Sequence, residues 1–377
     1  MNKLKVVTIV GTRPEIIRLS RTIHELDQHT NHVLVHTGQN YDYELNEVFF
    51  KDLGIRTPDH YLDAAGATPS ITIANTIMHT DALLQSLTPD AVLILGDTNS
   101  SLAVIPAKRR KIPVFHLEAG NRCFDDRVPE EINRRIVDHT ADINMTYSTI
   151  ARHYLINEGI DPDRVIKVGS PMYEVIEYYR DKIKASTVLK SLELKEGGYF
   201  LVSAHREENI DDPGRFQAFV KMLDALAAEF GLPVIVSTHP RTRKQLEATG
   251  SKTNALVQFL KPLAFTDYIR LQEAARVTLS DSGTITEESS ILNIPALNIR
   301  EANERPEGME EGAVMMVGMN LDRILQGIAI LESQNRGAER QLRMVSDYEA
   351  PAFSKVVLRL IQSYTDYVNR VVWKKYD

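Results

Sequence analysis

The sequence predicts an α/β protein with two doubly wound domains, each a parallel sheet between layers of helices. Short β-branched runs of about five to seven residues alternate with longer helical patterns, which is typical of βα units on a parallel sheet. This series occurs twice, and the break between the two copies falls at Gly169–Met172. At roughly 150 residues per domain, the 377 residues are enough for two hydrophobic cores. We therefore expect two Rossmann-like domains that face a cleft.

The predicted strands form two consecutive series. In the first series they are Lys5–Val10, His32–His36, Ala91–Leu95, Pro113–Leu117, Ile143–Tyr147 and Val165–Val168. In the second they are Tyr199–Ser203, Pro233–Ser237, Leu256–Leu260, Val277–Ser280, Ala296–Ile299 and Val314–Val317. A charged helical stretch that ends at about Leu194 joins the two series. The N-terminal domain is expected to span residues 1–170 and the C-terminal domain residues 171–351, with a final helix at about 352–377 that packs back on the first domain.

Composition and charge exclude several classes of protein. A formal net charge of −7 and a pI of about 5.9 argue against a nucleic-acid-binding protein, which would usually carry a basic surface. The short N-terminal apolar run leads straight into a charged turn, so it reads as a first strand and not as a signal peptide. No run approaches the roughly 18 apolar residues that a membrane span needs. The lone Cys123 cannot form an intrachain disulfide and fits a reducing compartment, so we expect a cytoplasmic protein.

Polar and charged residues follow several predicted strands, at the point where each strand ends. Because the carboxyl ends of parallel strands form one edge of a sheet, where ligands bind, these residues mark candidate sites. The first such turn, Gly11–Glu15, combines a glycine with a helix N-terminus whose free amides suit an anion. Arg13 and Arg18 add positive charge there. A capped helix with solvated arginines explains this segment equally well.

A similar turn, Ser280–Glu288, follows a strand of the second half. Ser282, Gly283 and Thr284 would place backbone amides and hydroxyls at a helix start, which suits a pyrophosphate. Glu288 lies about one turn further along and could accept hydrogen bonds from ribose hydroxyls. An ordinary helix N-terminus, with a serine or aspartate cap and glutamates that favour the helix dipole, explains the same residues equally well.

Carboxylates follow two buried strands of the first half. Asp97 and Glu118 each come just past such a strand, and Glu130 and Glu131 follow soon after. Carboxylates at strand ends that face a cleft can serve as general acid and base, with pKa values moved by burial and by mutual repulsion. Either Glu130 or Glu131 could instead be an ordinary acid at a helix N-terminus. Asp97 and Glu118 could also be plain turn formers.

Two further residues of the second half are candidates for phosphate binding. His205 follows the first strand of that half, and Arg305 carries a guanidinium that can grip two phosphate oxygens. A lone histidine is more often structural, so His205 decides little by itself. The histidines within His24–His36 lack a ligand-like spacing joined to a second cluster, which argues against a metal site.

Taken in order, these segments resemble the non-hydrolysing UDP-N-acetylglucosamine 2-epimerases of bacterial surface-polysaccharide pathways. The matching segments, which cover essentially the whole chain, are GTRPEII, LGDT, HLEAGNR, PEEINR, AHREEN, THP, SDSGTITEES and ERPEG. The family is similar in fold to the two-domain GT-B glycosyltransferases, so the resemblance implies a GT-B-like architecture. The reaction that it implies is anti elimination of UDP across C1–C2 to a 2-acetamidoglycal. UDP is then added back with the other configuration at C2.

The resemblance also implies roles residue by residue. Asp97, Glu118 and Glu130 look like the acid–base set that removes and returns the C2 proton, and His205 joins them as a catalytic residue. The residues that look like ligands of the UDP-sugar are Arg13, Arg18, His205, Ser282, Gly283, Thr284, Glu288 and Arg305. The reaction needs no nicotinamide or other cofactor, and the family implies a homodimer.

Three departures from the family pattern bear on the substrate. Arg18 stands where the family usually has lysine, Thr284 replaces the second glycine of an SGG turn, and residues 121–128 differ from the usual leucine-arginine-threonine version. With the HTGQNYDYELNEVFF segment, they favour the branch that makes UDP-N-acetyl-L-fucosamine from its C2 epimer, UDP-2-acetamido-2,6-dideoxy-L-talose. Within the family the alternative is UDP-N-acetylglucosamine/UDP-N-acetylmannosamine epimerisation. A GT-B glycosyltransferase, a hydrolysing epimerase and a non-catalytic nucleotide-binding regulator are further alternatives.

Overall fold

The computed structural model describes residues 3–38, 43–204, 212–238, 242, 245–246, 253–300 and 303–375. The chain forms two compact units. The first comprises Met1–Tyr178 together with Asp347–Asp377, and the second is Tyr179–Ser346. The sequence pattern places this boundary after residue 170, whereas the divide in the structure follows Tyr178.

The first unit is built on a seven-stranded parallel sheet. Its strands are β1 (Lys5–Val10), β2 (Asn31–His36), β3 (His60–Tyr61), β4 (Ala91–Leu95), β5 (Val114–Ala119), β6 (Ile143–Thr146) and β7 (Val165–Lys167). They lie in the order β3-β2-β1-β4-β5-β6-β7. Every residue of β4 is buried, as expected for a parallel strand covered on both faces.

Helices alternate with these strands. In the first unit they are α1 (Arg13–His29), α2 (Tyr43–Asp52), α3 (Pro69–Leu87), α4 (Val104–Arg109), α5 (Pro129–Thr140), α6 (Thr149–Asn157) and α7 (Met172–Tyr178), with 3₁₀ turns at Asn99–Ala103 and Pro162–Arg164. Helix α1 begins after Thr12, where Glu15 at the third helical position completes a capping box and Pro14 occupies the first turn.

The second unit is built on a six-stranded parallel sheet in the order β10-β9-β8-β11-β12-β13. Its strands are β8 (Phe200–Ala204), β9 (Val234–Thr238), β10 (Val257–Leu260), β11 (Val277–Ser280), β12 (Ala296–Asn298) and β13 (Met315–Met316). Its described helices are α8 (Arg180–Lys184), α9 (Val188–Ser191), α10 (Pro213–Phe230), α11 (Phe265–Ala274), α12 (Thr284–Leu292), α13 (Pro306–Glu310) and α14 (Leu321–Glu332). A 3₁₀ turn at Ser346–Tyr348 leads to the final helix, α15 (Phe353–Val371), which packs against α1.

The predicted fold class is confirmed, because each unit is a parallel α/β sheet with alternating helices. The predicted strands are all present, with ends shifted by at most two residues. Strand β3 is not predicted, since two residues are too few to show alternation. The helical stretch predicted up to about Leu194 is present as three short helices, α7 to α9, the last of which ends at Ser191. No described helix is long and apolar enough to cross a membrane.

The strand order of each sheet reverses at one point. In the first sheet this point lies between β1 and β4, and in the second between β8 and β11. In doubly wound sheets ligands bind in the crevice outside the carboxyl ends of the strands at such a reversal. The turns that begin at Gly11 and Gly96 flank the first reversal, and β11 leads at the second into the turn with Ser282. The topology therefore brings the predicted motif turns to the expected positions.

Candidate active site

The turn after β1 packs so closely against its neighbours that position 11 has no room for a side chain. A Cβ on Gly11 would lie 1.9 Å from Oγ of Ser100 and 2.3 Å from Oγ1 of Thr37. Close packing, and not a positive φ, therefore requires glycine here. Arg13 is half-buried in the first turn of α1, with its guanidinium carbon 5.6 Å from the centre of the Phe49 ring.

Glu15 joins the turn after β1 to the turn after β4. One of its carboxylate oxygens accepts hydrogen bonds from the amides of Gly11 and Thr12, and the other accepts from the hydroxyl of Thr98 at 2.6 Å. Burial raises the pKa of Glu15 to about 7, although the hydrogen bonds from Thr98, Gly11 and Thr12 act in the opposite direction. Glu15 is not among the predicted site residues. The capping-box spacing to Thr12 is the one sequence signal that points to it.

Glu118 lies in a β-bulge within β5 and not beyond the end of the strand, so its predicted placement is wrong. Its φ is +64°, and the pairing of β5 with β6 shifts register between Leu117 and Ala119. A bulge redirects side chains, and a left-handed conformation is strained for a residue with a side chain. A Cβ on Gly96 would lie only 3.7 Å from Oε2 of Glu118, so the backbone before Asp97 passes close to this carboxylate.

Arg18 is bound to Glu118. Its Nη1 donates to Oε2 of Glu118 at 2.7 Å, and the two side chains are 4% and 16% exposed. The guanidinium carbon also lies 5.6 Å from the centre of the Tyr147 ring. On the other carboxylate oxygen, Oε1, the side-chain amide of Asn121 donates at 3.4 Å. Arg18, predicted as a substrate ligand, therefore orients the Glu118 carboxylate as well.

Asp97 is held by side chains of α5. Arg134 donates through Nε to Oδ2 of Asp97 at 2.6 Å and through Nη1 to Oε2 of Glu131 at 3.0 Å. The side-chain amide of Asn133 donates to the carbonyl of Asp97 at 2.9 Å. The Asp97 side chain nevertheless remains 23% exposed. Its orientation is thus fixed while it stays accessible to a substrate.

The two adjacent glutamates of α5 have different environments. Glu131 is fully buried and accepts hydrogen bonds from Arg134 and from the amide of Cys123 at 3.1 Å. Burial raises the pKa of Glu131, but the hydrogen bonds from Cys123 and Arg134 outweigh it, so the pKa lies below its usual value. Glu131 is therefore a buried anchor for Arg134. Glu130 is half-buried, which leaves it as the member of the pair that a substrate can reach.

The turn after β11 is braced by its own serine and threonine side chains. The amide of Ser282 donates to Oγ of Ser280 at 3.1 Å, and Oγ of Ser282 lies 3.0 Å from Oγ1 of Thr284. Ser282, Gly283 and Thr284 are half-buried, and α12 begins at Thr284. The predicted turn before a helix start is therefore present.

Arg305 and Glu288, the other predicted ligands of the second unit, lie in buried contacts. Nη2 of Arg305 lies 3.1 Å from Oε2 of the fully buried Glu287. Glu288 is also buried, and its Oε2 accepts a hydrogen bond from Gln272 at 2.6 Å. These contacts fix both side chains near the start of α12. His205 lies outside the described residues.

Known proteins identify the family. A family model described as UDP-N-acetylglucosamine 2-epimerase matches residues 24–362. The chain belongs to this family. A curated relative, the UDP-2,3-diacetamido-2,3-dideoxy-D-glucuronate 2-epimerase of Pseudomonas aeruginosa, is 33% identical over 329 residues, which cover 86% of this chain and 91% of that protein. The chain is therefore an enzyme, an isomerase that acts as a UDP-sugar 2-epimerase.

Solved structures of the same family match the chain over nearly its full length. The UDP-N-acetylglucosamine 2-epimerase of Rickettsia bellii is 48% identical with a TM-score of 0.92, covering 99% of this chain and 100% of that one. The UDP-GlcNAc 2-epimerase of Methanocaldococcus jannaschii, solved in complex with UDP-GlcNAc and UDP, is 29% identical with a TM-score of 0.89. That match covers 96% of this chain and 100% of the other.

In this epimerase no group of three or more His, Cys, Asp or Glu side chains that could hold a metal ion occurs within the described ranges. A set of buried charged residues, absent from the predicted site, does lie behind the two strand-end carboxylates. His116 on β5, Arg122 in the following loop and Asp138 on α5 are each no more than 2% exposed. His116 and Arg122 stand in the HLEAGNR segment, but their pairing depends on Asp138, which only the fold brings to them.

Proposed function

We propose that this epimerase inverts C2 of a UDP-2-acetamido sugar by anti elimination of UDP and re-addition. A carboxylate of the set Asp97, Glu118 and Glu130 removes the C2 proton. The bond between C1 and the UDP oxygen breaks with its electrons leaving on UDP, and a 2-acetamidoglycal remains. A proton then returns to C2 on the opposite face, and the UDP oxygen bonds to C1 again.

The observation that carries this proposal is the pair of oriented carboxylates on β5 and just after β4, beside the reversal of the first sheet. Asp97 and Glu118 come from neighbouring strands, and the amide of Gly96 donates to the carbonyl of Leu117 at 3.0 Å. Each carboxylate has its own arginine, Arg134 for Asp97 and Arg18 for Glu118. Exchange of a proton on both faces of one carbon needs at least two positioned acid–base groups, whereas transfer of a glycosyl group to an acceptor does not.

We assign UDP binding to the second unit and charge stabilisation to the ends of two helices. Ser282, Gly283, Thr284 and the helix start behind them suit the pyrophosphate, with His205 and Arg305 as further phosphate ligands and Glu288 at the ribose. Negative charge develops on the departing UDP, and we assign its stabilisation to Arg13 at the start of α1. That the substrate is a UDP-sugar is supported by the Methanocaldococcus jannaschii relative, which was solved in complex with UDP-GlcNAc and UDP.

For the sugar we propose UDP-2-acetamido-2,6-dideoxy-L-talose, converted to UDP-N-acetyl-L-fucosamine for capsule or O-antigen synthesis. The support is that the departing segment 121–128 contacts Glu118 of the acid–base set and the buried anchor Glu131. Asn121 reaches Glu118, and the amide of Cys123 donates to Glu131. A changed sugar would require changed residues at this place.

The second candidate is UDP-N-acetylglucosamine, converted to UDP-N-acetylmannosamine. It is favoured by the name of the Rickettsia bellii protein, which is 48% identical. Proton NMR of the purified protein with each UDP-sugar, supplied separately, distinguishes the two. We expect kcat/KM at least tenfold higher for the 6-deoxy-L-talose sugar. The reverse order would assign the enzyme to UDP-N-acetylglucosamine.

We also propose that the enzyme is a cytoplasmic homodimer that needs no metal or other cofactor. Soluble UDP-sugars are its substrate class, and the proposed chemistry requires only proton transfer and loss of UDP. Exhaustive dialysis against EDTA should leave the rate unchanged, and sedimentation should give twice the chain mass. Loss of activity that Mg²⁺ restores would contradict the proposal that the enzyme needs no metal.

A further inference from the structure

A buried chain of charged side chains lies behind the two strand-end carboxylates. His116, Asp138 and Arg122 are each no more than 2% exposed, so the substrate cannot reach them. Burying such groups is costly unless each finds a partner, and these three find partners in one another, in the nearby backbone and, for Arg122, in Glu158. They also contact the backbone next to each carboxylate of the proposed acid–base pair, at Gly96 beside Asp97 and at Gly120 near Glu118.

The first contact fixes the turn that carries Asp97. Nε2 of His116 lies 2.9 Å from the carbonyl oxygen of Gly96, the residue directly before Asp97. Since a carbonyl can only accept, Nε2 carries the proton and donates it. Gly96 has a φ of +73°, so this hydrogen bond holds the backbone in the conformation that turns Asp97 out of β4.

The second set of contacts fixes the bulge that carries Glu118. Both carboxylate oxygens of Asp138 lie 3.2 Å from the amide of Gly120, two residues after Glu118. Arg122 donates to Oδ2 of Asp138 at 2.7 Å and to the carbonyl of Asn121 at 2.7 Å. The Asn121 side chain in turn reaches Glu118. Asp138 therefore holds the bulge at Gly120 directly and near Glu118 through Arg122, which Glu158 also binds at 2.8 and 2.7 Å.

One contact links the two halves of this arrangement. Nδ1 of His116 lies 3.0 Å from Oδ1 of Asp138, close enough for an ion pair when the imidazole is protonated. We propose that His116 and Asp138 are positioning residues that together set the separation and orientation of Asp97 and Glu118. This inference rests on the proposed function, because it takes those two carboxylates as the reacting groups.

Asp142 provides a matched control. It is as buried as Asp138, lies two residues beyond the end of α5, and accepts a hydrogen bond from the amide of Val114 at 2.9 Å and one from Lys108. Val114 begins β5, however, at the opposite end from Glu118. Asp142→Asn therefore removes a buried carboxylate of the same sheet without touching the proposed site.

The test uses two replacements of His116 that each keep one nitrogen. In His116→Gln the amide nitrogen can take the place of Nε2 and still donate to Gly96, whereas in His116→Asn it can only replace Nδ1. We expect kcat for His116→Gln within about tenfold of wild type. We expect kcat to fall about a hundredfold in His116→Asn and Asp138→Asn, since displacing a catalytic group by about 1 Å can slow a reaction by about a hundredfold. KM should change by less than about threefold. Asp142→Asn should keep kcat within about threefold.

Wild-type epimerisation is measured first, so that failure of the proposed function is seen separately. Equal kcat for His116→Gln and His116→Asn at similar melting temperatures would overturn the inference, as would a loss in Asp142→Asn as large as that in Asp138→Asn. A rise in KM at constant kcat would do the same. Should Asp138→Asn not fold, the two His116 variants decide, because both leave the contact between Asp138 and Arg122 in place.

Discussion

Replacing Gly120 by alanine should disturb both the stability of the first unit and the rate. Gly120 has a φ of +81°, and an added Cβ would lie 2.5 Å from the carbonyl oxygen of Ala151. The left-handed conformation costs alanine about 1–2 kcal/mol, and displacing a packed neighbour costs about 1–3 kcal/mol more. The expected destabilisation is therefore about 2–5 kcal/mol, or a fall in melting temperature of roughly 5–15 °C.

Gly159 supplies the control, since it has a φ of +91° but no atom within 4 Å of the position that a Cβ would take. Gly159→Ala carries the conformational cost alone, so it should destabilise by about 1–2 kcal/mol. The difference between the two variants isolates the clash with Ala151.

Thermal unfolding followed by circular dichroism, together with the epimerase rate, tests both effects. Because Gly120 follows the bulge, relief of the clash should move Glu118 and lower kcat by about 10- to 100-fold, whereas Gly159→Ala should leave kcat unchanged. If the two variants unfolded at the same temperature, or if Gly120→Ala kept wild-type kcat, the bulge would not hold Glu118 as described.

Three further predictions concern the same unit. Arg18→Met should lower kcat by about a hundredfold, because it removes the cation that binds the mostly buried Glu118. Arg18→Lys keeps the positive charge, so its kcat should stay within about tenfold of wild type. Equal kcat values for the two variants would show that the ion pair between Arg18 and Glu118 does not matter for the rate. The pKa of Glu15 is raised to about 7, so the folded state binds its proton more tightly than the unfolded state, and stability should fall by up to about 3 kcal/mol as pH rises from 4.5 to 7 and then level off. Urea unfolding of wild type and Glu15→Gln at several pH values tests this. The loss of unfolding free energy between pH 4.5 and 7 should be absent in Glu15→Gln, and a loss of the same size in this variant would mean that other groups cause it. Asp97→Asn and Glu118→Gln should each abolish turnover in the rate assay while the melting temperature stays within a few degrees of wild type, and a near-normal rate in either would exclude that residue from the acid–base set.

Strand positions follow from the sequence because parallel strands buried on both faces leave continuous apolar runs. Ala91–Leu95 is such a run, and the structure reproduces it without a shift. The charged stretch after Gly169 is helical as predicted, but its pattern does not reveal the breaks between the three helices, because it continues from the core of one unit to the core of the other. Val175 and Ile176 are buried in the first unit, whereas Ile183 is buried in the second, so the helix breaks between them.

Residue types at strand ends are visible in the sequence, but their pairings are not. Asp97 and Glu118 stand out because polar residues end two buried runs. The residue pattern alone does not distinguish the buried Glu131 from its half-buried neighbour Glu130, because the contact between Glu131 and Arg134 depends on how α5 packs. Only the family resemblance points to Glu130. The bulge at Glu118 is equally hidden, since its left-handed backbone is usual for glycine and not for glutamate.

The central claim is that this enzyme removes and returns the proton at C2 of a UDP-2-acetamido sugar. The direct measurement is proton NMR of the purified protein in deuterated water with each of the two candidate sugars. We expect deuterium at C2 of the sugar that is epimerised, with no accumulation of free sugar. An unchanged C2 proton with both sugars, or release of free sugar and UDP, would contradict the account.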